Sequence, residues 1–195
     1  MDPSRPKERL VRAATDLFYR RGFHGTPIDE IVSRAETTKT TFYNHYESKD
    51  DLALECLQRR DLRWRQQFPV LLEQMAGPSP IAKLHAIWKV WAEWFNEPGF
   101  NGCIFIHACS EFPDPNHPCH IAAKHNIDSI RGAVQENAAQ ARVSDPVALG
   151  RQFSLLMQGA IVMEVIDRDG SAVRDAEAVA RRLLLLALPN GEIHI

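Results

Sequence analysis

The apolar residues of this chain recur at helical spacing, and proline and glycine separate the segments that carry the pattern. In the first segment the apolar stripe consists of Leu10, Ala14, Leu17 and Phe18. No segment alternates apolar and polar residues at the period of two that marks a half-buried strand. The pattern therefore predicts an all-α fold.

Local signals place the ends of the first helices. Gly22 is predicted to end the first helix, with Phe18 and Phe23 packing across the glycine. Thr26 is then predicted to cap a second helix that has Pro27 at its first position and an acidic residue, Asp29, in its first turn.

A third short helix is predicted from about Lys39 to Tyr46, after a turn at 36–38. Ser48 then caps a fourth helix, with Asp51 three residues later. Two short helices joined by so tight a turn indicate a helix-turn-helix. The residues alone are equally compatible with small helices that pack into a helical bundle and have no role in binding DNA.

The third helix is predicted to bury Phe42 and Tyr46. Its other face then presents groups that hydrogen-bond to phosphates and base edges, namely Lys39, Thr40, Tyr43, Asn44 and His45. A helix of this kind laid in the major groove would contact about half a turn of DNA.

The segments 22–31 and 35–52 resemble the TetR family of transcriptional regulators, because cap, turn, recognition helix and next cap occur in register. The resemblance covers about the first quarter of the chain. It implies a homodimer with a three-helix DNA-binding domain at 1–48 and a larger helical ligand-binding and dimerisation domain at 49–195, with the fourth helix shared between them. It also implies double-stranded operator DNA and a small-molecule effector as partners. In this family such proteins are most often repressors that leave a palindromic operator when the effector binds.

The resemblance extends the set of DNA-contacting residues predicted from the third helix. The complete predicted set is Thr26, Thr37, Thr38, Lys39, Thr40, Tyr43, Asn44, His45 and Lys49. Two positions depart from the family pattern, since Glu36 and Thr40 stand where glycine is frequent. The second departure implies a different base preference.

Charge sets a limit on how the chain can bind nucleic acid. The whole sequence has 23 basic and 25 acidic side chains, which excludes binding through bulk positive charge. Residues 1–60 hold 11 basic and 10 acidic side chains, whereas the rest holds 12 and 15. DNA affinity must therefore come from placed contacts that a dimer doubles, and the acidic remainder is the candidate sensor.

An aromatic stripe in the fifth helix, which includes Trp88, Trp91 and Phe95, suggests an effector pocket. The alternative is an ordinary packed core. Residues of the sixth helix complete the predicted pocket, which consists of Trp88, Trp91, Phe95, Phe105, His107 and Glu111. Its composition favours a small apolar or aromatic effector.

Three cysteines and four histidines lie in the segment 103–125, and both residue types can bind a metal ion. Cys103, His107 and Glu111 share one helical face and include the ligand types that zinc prefers. Their spacing matches no known zinc framework, and free cysteine is often a buried apolar residue. We expect neither a metal nor a cofactor.

The last two helices are apolar around most of their circumference, which is more than one core needs. This predicts a second buried surface, a dimer interface. A hairpin wholly inside a monomer is the alternative.

No nucleophile elbow, P-loop, dinucleotide motif or HExxH occurs in the sequence. A regulator is therefore favoured over the competing class, a metal-dependent helical enzyme. The sequence also has no apolar run long enough for a signal peptide or a membrane span, and its four cysteines form no framework. A cytoplasmic protein without membrane contact is expected.

Overall fold

A computed structural model describes residues 5–188 of the chain, and within them every regular element is a helix. This confirms the predicted all-α fold. In that part of the chain no helix combines the length and apolarity that crossing a membrane requires. The helices are α1 (Pro6–Arg21), α2 (Ile28–Arg34), α3 (Lys39–Tyr43), α4 (Lys49–Ala76), α5 (Pro80–Phe95), α6 (Ile104–Glu111), α7 (Pro118–Gln140), α8 (Pro146–Asp167) and α9 (Ser171–Ala187).

Gly22 ends α1 as predicted. Its φ is +79°, and its N–H donates to the Phe18 carbonyl at 3.0 Å. The rings of Phe18 and Phe23 stack across it with centroids 4.9 Å apart. The chain thereby turns sharply into the loop that precedes α2.

Two expected details of the short helices are wrong. Pro27, not Thr26, occupies the N-cap position of α2, and the Thr26 hydroxyl instead donates backwards to the Gly22 carbonyl at 2.7 Å. Helix α3 ends at Tyr43, three residues before the predicted end at Tyr46. There the backbone tightens, because the His45 N–H donates to the Phe42 carbonyl three residues earlier, at 2.9 Å.

The turn between α2 and α3 is a Schellman motif. The Thr37 N–H donates to the Val32 carbonyl at 2.9 Å, and the Glu36 N–H donates to the Ser33 carbonyl at 3.1 Å. Glu36 occupies the left-handed position with φ +49°, although it is not glycine. The Arg9 guanidinium of α1 supports this turn by donating to the carbonyls of Ala35 and Glu36 at 2.9 and 3.2 Å.

The predicted cap of α4 is confirmed as a reciprocal pair. The Ser48 N–H donates to the Asp51 carboxylate at 2.9 Å, and the Asp51 N–H donates to the Ser48 hydroxyl at 3.2 Å. Helix α4 continues through Pro69 to Ala76. The next helix, α5, begins after a short turn with Ser79 as its N-cap.

Residue contacts divide the chain into two compact units. Within the described residues, the first unit contains 5–63 together with Cys103–Asn126, and the second contains Trp64–Gly102 and 127–188. The predicted functional boundary at residue 48 stays a prediction, and the outer limits 1 and 195 lie outside the described residues.

The core of the first unit buries one face of each helix of the helix-turn-helix, with Leu10, Phe18, Ile31 and Phe42 fully inaccessible. In the second unit α8 packs against α9, and α9 also packs against α5. Its largest buried side chains include Trp88, Trp91 and Phe153.

Glu36 gives a direct test of the strained turn. A left-handed non-glycine residue costs about 1–2 kcal/mol, because its Cβ crowds the following carbonyl. We expect Glu36→Gly to raise the free energy of unfolding by about 1 kcal/mol in urea denaturation. Glu36→Ala removes the same charge but keeps Cβ, so it serves as the matched control. Equal stability of the two variants would contradict the assigned strain.

Candidate functional site

Helix α3 and the two residues that follow it present a row of polar side chains to solvent, which we call the exposed row of α3. Lys39, Thr40, Tyr43, Asn44 and His45 are exposed, as predicted. On the opposite face Phe42 is fully buried and Tyr46 is 6% exposed, so packing fixes which face remains free. The Tyr46 hydroxyl donates to Glu55 of α4 at 2.8 Å, which ties the end of the α3 segment to the next helix.

The start of α3 is held by its own hydroxyls. The Thr38 hydroxyl accepts from the Thr41 N–H at 3.1 Å, and the two threonine hydroxyls lie 3.0 Å apart. Thr38 is exposed and Thr37 is half-buried. Both threonines therefore border the exposed row of α3, and the hydroxyl of Thr38 serves as the helix cap.

Lys39 is the charged member of the row. Its ammonium lies 2.6 Å from the Asp29 carboxylate, and this hydrogen bond raises the pKa of Lys39. Both side chains are more than half exposed, and surface ion pairs of this kind contribute little stability. Lys39 can therefore exchange Asp29 for a phosphate at low cost.

Thr26 and Lys49, two of the predicted DNA-contacting residues, are turned inward. Thr26 is fully buried. The Lys49 ammonium donates to the carbonyls of Phe23 and Thr26 at 2.7 and 3.0 Å. Because both side chains hold the loop 22–26 in place, the structure gives them a positioning role and does not support the predicted direct contacts with DNA.

Glu111, at the end of α6, holds the same loop by binding its backbone N–H groups. Its carboxylate accepts from the N–H groups of Phe23 and His24 at 3.0 and 2.7 Å. The His24 Nε2 lies 2.7 Å from the Glu111 carbonyl. A Cβ at Gly22 would come within 2.6 Å of the Glu111 carboxylate and would displace it, and the φ of +79° at this position also favours glycine. We call the contacts of Lys49 and Glu111 with residues 22–26 the loop clamp.

The residues around Glu111 explain the concentration of histidine in the sequence. The Phe112 ring lies edge-on to those of Phe23 and His24, with centroids 5.3 Å apart in both pairs. The Phe112 ring also stacks on the His117 ring, with the two centroids 4.5 Å apart. His120 Nδ1 lies 2.8 Å from the Phe112 carbonyl. These histidines pack and hydrogen-bond within the first unit.

The structure does not support Cys103, His107 and Glu111 as metal ligands. Glu111 is hydrogen-bonded to the loop, and burial raises the pKa of the Cys103 thiol, which disfavours the thiolate that a metal requires. Burial likewise lowers the pKa of His107. Across residues 5–188 no group of three His, Cys, Asp or Glu side chains is arranged to hold a metal.

The six predicted pocket residues are divided between the two compact units. Trp88, Trp91 and Phe95 belong to the second unit, whereas Phe105, His107 and Glu111 belong to the first. Trp88 packs on Phe153, and Trp91 lies edge-on to Trp64. Of the six, Phe95 borders a cleft in the second unit, as described below. The pocket stays a prediction, although Glu111 is hydrogen-bonded to the loop 22–26 and Trp88 and Trp91 are packed in the core of the second unit.

Sequence alone gave no signal for the loop clamp. Lys49 and Glu111 lie 26 and 88 residues from Phe23 along the chain, so no local spacing relates them. Only the glycine at position 22 indicates a close approach.

Two family models match this chain. Residues 10–56 match the model described as bacterial regulatory proteins of the tetR family, and residues 80–180 match the tetracyclin repressor-like C-terminal domain. Together they cover the helix-turn-helix and most of the remaining helices.

Similar proteins extend over nearly the whole chain. The HTH-type transcriptional regulator YjdC of Escherichia coli is 24% identical over 184 residues, which is 93% of this chain and 94% of that protein. The crystal structure of the TetR-family transcriptional regulator SCO4454 of Streptomyces coelicolor superposes with a TM-score of 0.82 at 30% identity, and the match covers 93% of this chain and 95% of that one. The fold of NemR from Escherichia coli, in its reduced form, gives a TM-score of 0.81 at 20% identity over 91% and 95% of the two chains.

Removal of the Glu111 carboxylate tests the loop clamp. We expect Glu111→Ala to lower the free energy of unfolding by about 1–2 kcal/mol, because two backbone N–H groups lose a charged acceptor in a partly exposed position. Urea denaturation measures the change. Glu93→Ala, which removes an exposed carboxylate of α5, is the control and should have little effect. A Glu111→Ala protein as stable as this control would contradict the clamp.

Proposed function

This chain belongs to the TetR family of bacterial transcriptional regulators, and on that premise we propose that it acts as a homodimeric repressor, which a small-molecule effector releases from a palindromic operator. As a member of that family it is a DNA-binding transcriptional regulator and not an enzyme. The competing metal-dependent helical enzyme is therefore set aside. Its action would lie in the cytoplasm, where bacterial DNA is found.

The observation that carries the proposal is the exposed row of α3. Lys39, Thr40, Tyr43 and Asn44 are accessible at the point where a helix-turn-helix enters the major groove. Lysine, hydroxyl and amide groups hydrogen-bond to phosphate oxygens and to base edges, and the threonine methyl group can contact the methyl group of thymine. We therefore assign base contacts to this row and phosphate contacts to its ends, at Thr37, Thr38 and His45.

The weak local charge argues for binding as a dimer. Residues 1–60 carry a formal net charge of +1. One copy of the protein therefore gains little of the counterion release that supports DNA affinity. Two copies would place their α3 helices on half-sites about 34–36 Å apart.

Exposed apolar side chains on α8 and α9 support this dimer. Leu155 is 75% exposed, Ile166 is 65% exposed and Leu186 is 86% exposed. Further large apolar side chains on these two helices are also exposed, namely Val147, Val162, Met163, Val179 and Leu185. Packing α8 and α9 of two copies into a four-helix interface would remove this surface from water.

Two features of the second unit support a ligand-responsive role. The indole N–H groups of Trp64, Trp88 and Trp91 are buried without a hydrogen-bond partner, and buried donors are normally paired. A cleft also lies beside Phe95. We propose that effector binding in this unit changes the relative population of the states that bind and release DNA. The loop clamp joins α6 to the loop before α2, so a displacement of α6 would reorient the helix-turn-helix.

Removing the α3 contacts tests DNA binding. We expect Lys39→Ala and Tyr43→Ala each to weaken operator affinity about tenfold or more, since one placed contact is worth about 1–3 kcal/mol. Lys39→Ala should also reduce the slope of affinity against salt by about one. The measurement is fluorescence anisotropy on the site that footprinting identifies upstream of the protein's own gene.

The matched control for this experiment is Lys89→Ala, which removes an exposed lysine of α5. Its affinity and salt slope should equal those of the unaltered protein. If Lys39→Ala and Lys89→Ala bind the operator equally well, Lys39 does not contact DNA.

Charges placed on the exposed apolar face test the dimer. We expect a Leu155→Glu/Leu186→Glu double variant to sediment as a monomer and to lose most of its operator affinity, because the interface would have to bury two carboxylates. Ile121→Glu changes another exposed apolar residue, 54% accessible and located on α7, and should leave the dimer intact. A double variant that still sediments as a dimer, with its helical circular dichroism unchanged, would place the interface elsewhere.

A further inference from the structure

The second unit contains a cleft of about 660 Å³ at the end of α5 and the turn between α8 and α9. This volume lies within the range of small-molecule sites. Its lining includes Phe95 and Phe100, from the end of α5 and the loop after it, and Glu164, Gly170 and Val173, from α8, the turn that follows and α9. All of these residues belong to the same compact unit.

Glu164 is the unusual member of this lining. It lies in the last turn of α8 and is only 7% exposed. One carboxylate oxygen accepts from the Gly170 N–H at 3.3 Å, whereas Oε2 is buried with no hydrogen-bond partner. A buried charged oxygen without a donor is costly. Its position in a cleft wall therefore indicates a ligand that supplies the missing donor.

The aromatic part of the lining is suited to a positive charge. The Phe95 and Phe100 rings lie 4.9 Å apart at 49°, and Trp94 lies edge-on to Phe100 with centroids 5.2 Å apart. Aromatic faces attract cations, most strongly where water is excluded. The same rings also offer apolar contact to the body of a ligand.

Two arginines, Arg168 and Arg174, also line the cleft and would repel a cation. Both are exposed, so solvent screens their charges. Hydrogen bonds from Ser171, and to a smaller degree the charge of Arg174, lower the pKa of the exposed Asp169 carboxylate, so a further negative charge lies at the rim. Glu164 is buried and much less screened, and its attraction for a cation therefore prevails.

We propose that this cleft binds a small organic cation, a protonated amine whose N–H donates to Glu164 Oε2 while its apolar body lies against Phe95 and Phe100. The proposal names a ligand class for the sensor, and it rests on the proposed function only for the effect on DNA. Binding to the cleft is a property of the protein alone and is measured without DNA.

The test is isothermal titration calorimetry of the full-length protein with phenethylamine at pH 7, where this amine is protonated. The neutral probe 2-phenylethanol and the anionic probe 3-phenylpropanoate have similar bodies without the positive charge. We expect the amine to bind at least tenfold more tightly than either probe, because a charged donor at a buried carboxylate strengthens the hydrogen bond.

Glu164→Gln keeps the acceptor for Gly170 but removes the charge, and it should weaken amine binding at least tenfold without changing the affinity for 2-phenylethanol. Glu97→Gln is the matched control, because it makes the same substitution at an exposed carboxylate of the same cleft. Its amine affinity should equal that of the unaltered protein. Phe100→Leu should weaken binding of the amine more than that of the alcohol.

The possible failures are distinguishable. No amine binding by the unaltered protein, or equal binding by Glu164→Gln and Glu97→Gln, would overturn the cleft proposal. Thermal unfolding by circular dichroism confirms that each variant is folded before its titration is interpreted. Binding that depends on Glu164 supports the cleft proposal, whether or not the amine releases operator DNA, and the DNA assay tests the repressor function separately.

Discussion

The loop clamp is the contact on which the proposed DNA-reading surface depends. The loop 22–26 joins α1 to the first helix of the helix-turn-helix, and its backbone would otherwise lack regular partners. Lys49 donates to its carbonyls and Glu111 accepts from its amides. Because hydrogen bonds hold the loop from both sides, they help to fix the direction in which α2 begins, and with it the orientation of α3.

The clamp also relates the two predicted functional parts of the chain. Glu111 lies at the end of α6, beyond the predicted boundary at residue 48, yet it packs in the same compact unit as the helix-turn-helix. Gly22 favours this approach, because a Cβ at that position would force the carboxylate to move. Under the proposed function, a displacement of α6 would act on the helix-turn-helix through these two hydrogen bonds.

The second unit has the opposite character, since several of its buried polar atoms lack partners. Three indole N–H groups and one oxygen of Glu164 are buried without hydrogen bonds, and each such group costs about 1–3 kcal/mol. In the first unit the loop 22–26 is hydrogen-bonded by Lys49 and Glu111, an arrangement suited to rigid positioning. The second keeps unsatisfied groups next to aromatic walls and is suited to binding a ligand that satisfies them.

The sequence by itself determined the features that depend on neighbours a few residues apart. The packing of Phe18 on Phe23 across Gly22, the Ser48 and Asp51 cap, the buried face of α3 and the apolar excess of α8 and α9 all follow from helical spacing. Only the tertiary structure decided the partners of Thr26, Lys49 and Glu111, and the position of Glu164 beside Phe95 and Phe100. The physical reason is that a polar side chain bonds to whatever packing brings near it. For Glu111 that partner is a backbone amide 88 residues away, and no periodicity in the chain encodes this distance.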